Sequence, residues 1–307
     1  MLTRYSCAIA GALSLFASSA LAAPTLVFVS TRGTDATGCG TISAPCRSLQ
    51  VAQDAVATGG YINILDPGEY AAVSLTKSVN IVNESRGAAL VRANAPFASA
   101  IGVNVNPLAI VRLRGLTIEG NGPNTWGVIF NLGKRLELAD SVIRNATGDG
   151  VFMNNRNNPT FVFSNTTIAN NGGFGVHAAV SGGYATDLRL TDNFLGGMQL
   201  SGASETSFNA VVIENSSATN APGGSADGRA GFAAQGAVLV LRGATLRGFP
   251  FGVIANSAII RLSRSTLTGN AVAAKTPGAP MIESSGDNVI RGNTDDALGA
   301  FTAAPLH

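Results

Sequence analysis

Two histidines occur in the chain, and only His177 lies inside it, because His307 is the terminal residue. An imidazole is the side chain that most readily exchanges a proton near neutrality, so acid–base chemistry here points first to His177. Acting as a base beside a sugar carboxylate, it would need a cation to neutralise that carboxylate. Arg144 and Arg156 are the candidates. Hydrolysis of a glycoside needs two carboxylates across the scissile bond. Asp149 sits in Gly148-Asp149-Gly150, where a plain turn explains it equally well, and the matching repeat positions hold Trp126 and Phe174, not a second acid. Nucleophilic catalysis lacks a G-x-S-x-G elbow, and Gly223-Gly224 is not followed by the Gly-Lys-Ser/Thr of a phosphate loop. The other chemistry on offer is recognition. Trp126, Phe152, Phe174 and His177 recur at one place in successive repeats, and a row of exposed rings suits either stacking on sugars or packing under a loop.

Those residues are carried by a repeat. Val111–Phe130, Leu136–Met153 and Phe161–Ala178 are three lines of one grammar: alternating apolar residues, a small polar bend, an apolar anchor, an Asn/Gly turn, then Gly-Val and a short strand. The anchors Ile118, Ile143 and Ile168 stand 25 residues apart. Further anchors are placed at Leu195, Ile213, Leu246 and Leu267. A period of this size marks a solenoid, in which a unit buries its apolar face only by stacking on the next.

Reading across repeats gives columns. One residue after the anchors, Glu119 should stack on Arg144 and Glu214 on Arg247; six before them, Arg112 should stand beside Glu137. Such ladders are structural in the plain reading, while the functional one has Arg144 neutralising an anionic sugar. Asn121, Asn145, Asn170, Asn171, Asn215 and Asn270 mark the turns, where asparagine tolerates the left-handed conformation. In the Gly-Val strands, Val128, Val151, Val176 and Val253 should face inward, and Ile129, Phe152, His177 and Ile254 outward, with Gln199 beside them.

This pattern, from about Tyr61 to Phe301, resembles the repeats of the right-handed parallel β-helix, the pectin-lyase-like superfamily. The resemblance implies an all-β fold, a single right-handed parallel β-helix of about 8–10 coils. It also implies turn asparagine ladders, an N-terminal capping α-helix, and polysaccharide as partner. Lyases of this fold often hold calcium with clustered acids. No such cluster is seen here, so no cofactor and no metal site are assigned. The fold serves enzymes and non-enzymes alike.

The remaining segments fit an exported protein. Arg4, the apolar run Ala8–Phe16 and Ala20-Leu21-Ala22 read as a signal peptide over 1–22. Residues 23–60 hold a strand at Leu26–Ser30, a Cys39–Cys46 pair expected to be a disulfide in an oxidising compartment, and helical spacing over Ser48–Ala57, capped by Ser43 or Ser48. Residues 61–307 are the β-helix, with Ser181–Gly183 as a turn and Asn215–Gly231 as the longest excursion. A formal charge of +2, from 20 basic and 18 acidic residues, offers no case for nucleic acid or an anionic membrane. The expected protein is periplasmic or secreted and free of the membrane once mature. A non-catalytic glycan-binding or structural role is favoured, and a lyase or related enzyme acting on a uronic-acid polymer is the alternative.

Overall fold

Strand-forming triplets and quintets separated by single left-handed residues leave the chain one economical course, a coil with three flat sides. The computed structural model describes residues 22–93, 98–154, 158–202, 210–220, 229–277, 281–297 and 300–304. Successive coils pair in parallel and build sheets of 12, 10 and 9 strands, a right-handed solenoid with one helix among the described residues. One full coil shows the rule: Arg135–Ala139 in the twelve-stranded sheet, Val142–Arg144 in the ten-stranded sheet, Val151–Met153 in the nine-stranded sheet. The corners between the first two sheets are left-handed residues, Asp140, Asn165, Asp187 and Asn215 among them. Asn145, Asn170 and Asp192 turn the chain toward the third. Asx side chains and glycine adopt that conformation at low cost.

The core is a set of columns. In the ten-stranded sheet the inward column runs Tyr70, Val91, Ile118, Ile143, Ile168, Leu190, Ala218, Leu246, Leu267, Ile290. The expected anchors Leu195 and Ile213 are therefore corrected to Leu190 and Ala218. Leu195 lies after the corner and is 38% exposed, while Ile213 belongs to the twelve-stranded sheet, opposite Ala185 and Leu241. The coil carrying the small Ala218 carries the large Phe232, where neighbouring coils have Met198 and Val253, as close packing at constant volume requires. Two further expectations change with the register. Gly182–Thr186 is a strand, not a turn, and Gly183 has no side chain because the Phe161 ring fills that space. Ser217–Thr219 is a strand too, so the excursion begins no earlier than Asn220.

Corners inside the coil are held by ladders of side chains. Asn171 Oδ1 accepts the Ala146 N–H of the previous coil at 3.0 Å, and Asn193 Oδ1 accepts both the Asn171 N–H and its amide, at 3.2 and 2.8 Å. Asn270 and Asn293 repeat the device farther on. At the other corner, serine hydroxyls do this work: Ser141, Ser216 and Ser265 accept the N–H of Leu116, Leu188 and Ala244 at 3.0–3.2 Å. All of these side chains but the half-buried Asn293 are buried, so each bond removes a polar orphan from the core. Outside, Glu119 bonds Arg144 at 2.8 Å and Glu137 bonds Arg112 at 2.6 Å, as expected. Glu214 instead pairs with Arg242 at 3.0 Å, because Arg247 stands opposite Thr219.

The N-terminal end is closed by helix Leu49–Ala55, capped by Ser48 through the Val51 N–H. Its glutamines finish the edge strand of the nine-stranded sheet. Gln50 accepts from Ser74 N–H at 2.9 Å and donates to Ser74 O, and buried Gln53 accepts from Thr76. An unpaired edge is thereby satisfied without another strand. Leu26–Val29 pairs with Tyr61–Ile64, which builds segment 23–60 onto the solenoid, and Cys39–Cys46 is a disulfide with Cα atoms 5.0 Å apart. The proposed signal lies almost wholly in residues 1–21, outside the described residues. No helix among the described residues is long and apolar enough to cross a membrane.

Beside the cap, burial would raise the Asp66 pKa, but hydrogen bonds from Tyr70, Thr31 and Ser30 outweigh it and hold the carboxyl at about 2. Burial, then the neighbouring carboxylate, pushes Tyr70 upward. Because the folded value lies below the ordinary 3.8, this contribution is complete above about pH 4 and is lost as pH falls toward 2. Acid unfolding followed by circular dichroism should show stability dropping through that window, and Asp66→Asn should flatten the drop while lowering stability at neutral pH. Asn171→Ala should cost about 1–3 kcal/mol in denaturant titration, the price of leaving the buried Ala146 N–H without its acceptor.

Candidate functional site

Period-two alternation sends every second side chain of the nine-stranded sheet outward. The outward column is Ile129, Phe152, His177, Gln199, Ala233, Ile254 and Lys275; Ile129, Phe152, His177, Gln199 and Ile254 stand where the sequence placed them, and Ala233 and Lys275 are added by the structure. A second column, at the start of the strands, places Phe174 opposite Gly196, followed by Ala230, Phe251 and Val272. Trp126 opens the same strand as Ile129 and faces Ser99 of the preceding coil.

The rings converge. Phe152 and Phe174 both meet His177 edge-on, with centroids 5.3 and 5.6 Å apart, the arrangement favoured by ring quadrupoles. The Trp126 indole occupies the space beside Gly148, where a Cβ would stand 2.7 Å from Nε1. Glycine at 148 is thus demanded by the ring. All four rings are half-buried, each with an exposed part.

Asp149 ties the rings together. It is 8% exposed; one carboxylate oxygen accepts the Phe174 N–H at 2.7 Å, and the other lies 3.3 Å from His177 Nδ1. With Nδ1–H donating to the carboxylate, the neutral imidazole carries its lone pair on Nε2. The pairing spans a coil and escaped the sequence reading, which saw each residue only in its own column.

Other candidates are not brought here. Arg144 lies on the ten-stranded sheet with its guanidinium committed to Glu119, which Arg92 also holds, at 3.1 Å. Arg156 lies outside the described residues. The nine strands of this sheet contain neither Asp nor Glu. Asp35, Cys39 and Cys46 cluster elsewhere, but both sulfurs are spent in the disulfide. Two cations were missed: Arg229, whose guanidinium lies 3.8 Å above the Phe194 ring, and Lys275, 4.5 Å above Phe251. The only signal for them was the true register, which needed Leu190 and Ala218 as anchors.

Solved structures similar to this chain include pectate lyase Pel9A, at a TM-score of 0.62 and 16% identity over 84% of this chain and 74% of that one. Others are the A-module of Azotobacter vinelandii mannuronan C-5 epimerase AlgE4, at TM-score 0.41 and 14% identity over 81% and 90%, and a rhamnogalacturonan lyase, at 0.37 and 15% over 92% and 85%. At such identities it is the pectate lyase likeness that bears on this chain, and it bears on the fold alone. No curated protein matches the chain. Residues 50–217, more than half of the chain, match the family model described as right handed beta helix region, and the protein belongs to that family.

Proposed function

We propose that this protein binds or presents itself to polysaccharide through the Trp126–His177 face and does not turn it over. The observation that carries this reading is the row of half-exposed rings, Trp126, Phe152, Phe174 and His177, held on adjoining coils of a rigid sheet. Rings fixed by backbone register offer stacking surfaces with little side-chain entropy to lose. The similar pectate lyase is named for a polysaccharide, which agrees with polysaccharide as the partner. A sheet whose strands lack carboxylates does not supply the acid pair of a glycosidase. The disulfide supports an oxidising compartment, and with the N-terminal pattern we read the protein as exported, periplasmic or secreted.

A second reading rests on one observation. Asp149 orients His177 as a second group orients a catalytic base, so a lyase or related enzyme acting on a uronic-acid polymer is the alternative. Absorbance near ~235 nm, where elimination creates a conjugated double bond, separates the two readings with the purified protein and a panel of uronic-acid polymers. We expect no signal together with retention on the immobilised polymers. A signal lost in His177→Ala would replace the binding reading by the lyase.

On the binding reading, Trp126→Ala and Phe152→Ala should each weaken retention about two- to tenfold, the ratio that corresponds to one aromatic contact. Unchanged retention in both would remove the face from the account. Asp149→Ala should cost about 1–3 kcal/mol, because the part-buried Phe174 N–H loses its acceptor. His177→Ala should stay within about 1 kcal/mol. Urea titration of the two variants compares them directly.

A further inference from the structure

Among the described residues Arg229 is the one buried cation, 9% exposed. Several arginines elsewhere in the solenoid meet acids: Arg92 meets Glu69 and Glu119, Arg112 meets Glu137, and Arg261 meets Glu283. Arg229 has no carboxylate among the described residues, and its Nε has no hydrogen-bond partner. Its guanidinium is stacked 3.8 Å from the ring of Phe194, itself 57% exposed. Stacking orients a guanidinium without using its in-plane donors, and here the buried Nε–H is the donor left without a partner. A buried charge with unused donors is costly unless something pairs with it.

The surroundings are built for an anion. Arg229 immediately precedes Ala230, which stands between Gly196 and Phe251 in the first column of the aromatic face. Phe174 and Phe251 are three coil steps apart, roughly 14 Å, and the two residues between them are Gly196 and Ala230, with nothing larger than a methyl. Lys275, exposed and also without a carboxylate among the described residues, sits 4.5 Å over the Phe251 ring. No strand of the sheet carries an acid to repel a negative ligand. Asp149, three coils from Ala233's, is already bonded to Phe174 and His177.

We propose that Arg229, laid on Phe194 and aided by Lys275, is a subsite for an anionic substituent of a bound glycan, a carboxylate or a sulfate half-ester, received by the planar donors of the guanidinium. This rests on the polysaccharide-binding reading for its ligand, and it adds a charge-reading position at the corner beyond the Trp126–His177 row. The planar fork of arginine matches both oxyanions bidentately.

The test uses the purified protein with three oligosaccharides of matched length: an oligogalacturonate, its full methyl ester, and a sulfated oligosaccharide. Titration calorimetry should show the charged ligands binding at least about tenfold more tightly than the ester, with the order of carboxylate and sulfate identifying the substituent. Arg229→Met should abolish that preference, and its melting temperature should be equal or higher, because an uncompensated cation has been removed. A merely structural Arg229 predicts the reverse, a lower melting temperature with the preference intact, and that outcome overturns the subsite. In parallel, the Arg229 Nε–H resonance is followed against galacturonate and inorganic sulfate. A saturable shift supports the subsite even if Trp126→Ala and Phe152→Ala leave polymer retention unchanged, which would defeat only the reading of the ring face. Absence of any shift, with methyl ester and acid bound alike, defeats the subsite and leaves the ring face standing.

Discussion

Parallel stacking of coils that cannot stand alone is the constraint from which the rest follows. A single coil exposes its inner apolar residues above and below, and only a neighbour in register covers them. Ile143 lies between Ile118 and Ile168 at zero exposure. A shift of one residue would turn that entire column out into water. Corners therefore have to be exact, and the polar ladders of Asn171–Asn193 and Ser141 make them so by taking up amides that the sheets leave over. At the N-terminal end, where no earlier coil supplies the bonds, the glutamines of helix Leu49–Ala55 stand in for one.

Register also explains how much of this was legible. Ile118, Ile143 and Ile168 are evenly spaced because their coils have turns of equal length, so columns from Val111 to Ala178 could be read directly, with the outward placement of Phe152 and His177 and the Glu119–Arg144 pair. Beyond Ile168 the spacing breaks down. Leu190 comes early and Leu195 is a better-looking apolar residue on a corner. Ala218 is too small to announce itself, since its volume is supplied by Phe232 in the same coil. Size compensation of this kind is a property of the packed layer and leaves no mark on one strand.

The candidate site was legible to the same depth. Its rings follow from alternation, a local rule. The contact between Asp149 and His177 joins residues 28 apart, on different columns, and depends on side-chain reach and on the burial of the carboxylate. Arg229 and Phe194 are joined across a corner whose register had slipped in the sequence reading. Pair geometry between coils is therefore what the linear pattern loses first, and it is what distinguishes one β-helix surface from another.

Charge distribution carries the functional argument further than net charge does. Nearly balanced totals of 20 and 18 conceal a segregation by face. Ion pairs such as Arg112–Glu137, Arg242–Glu214, Arg261–Glu283 and Arg144–Glu119 lie on the twelve- and ten-stranded sheets, where opposite charges one coil apart stabilise register modestly, about 0.2–1 kcal/mol each. On the nine-stranded sheet the strands have no acids, and two rings on or beside it, Phe251 and the corner residue Phe194, hold cations. Replacing an ion pair by a cation–π contact sacrifices neutralisation and keeps orientation. A face organised that way is left with charge to offer and rings to stack against, which is the combination a polymer of charged sugars would meet on binding, and it comes at no cost to the column packing beneath it.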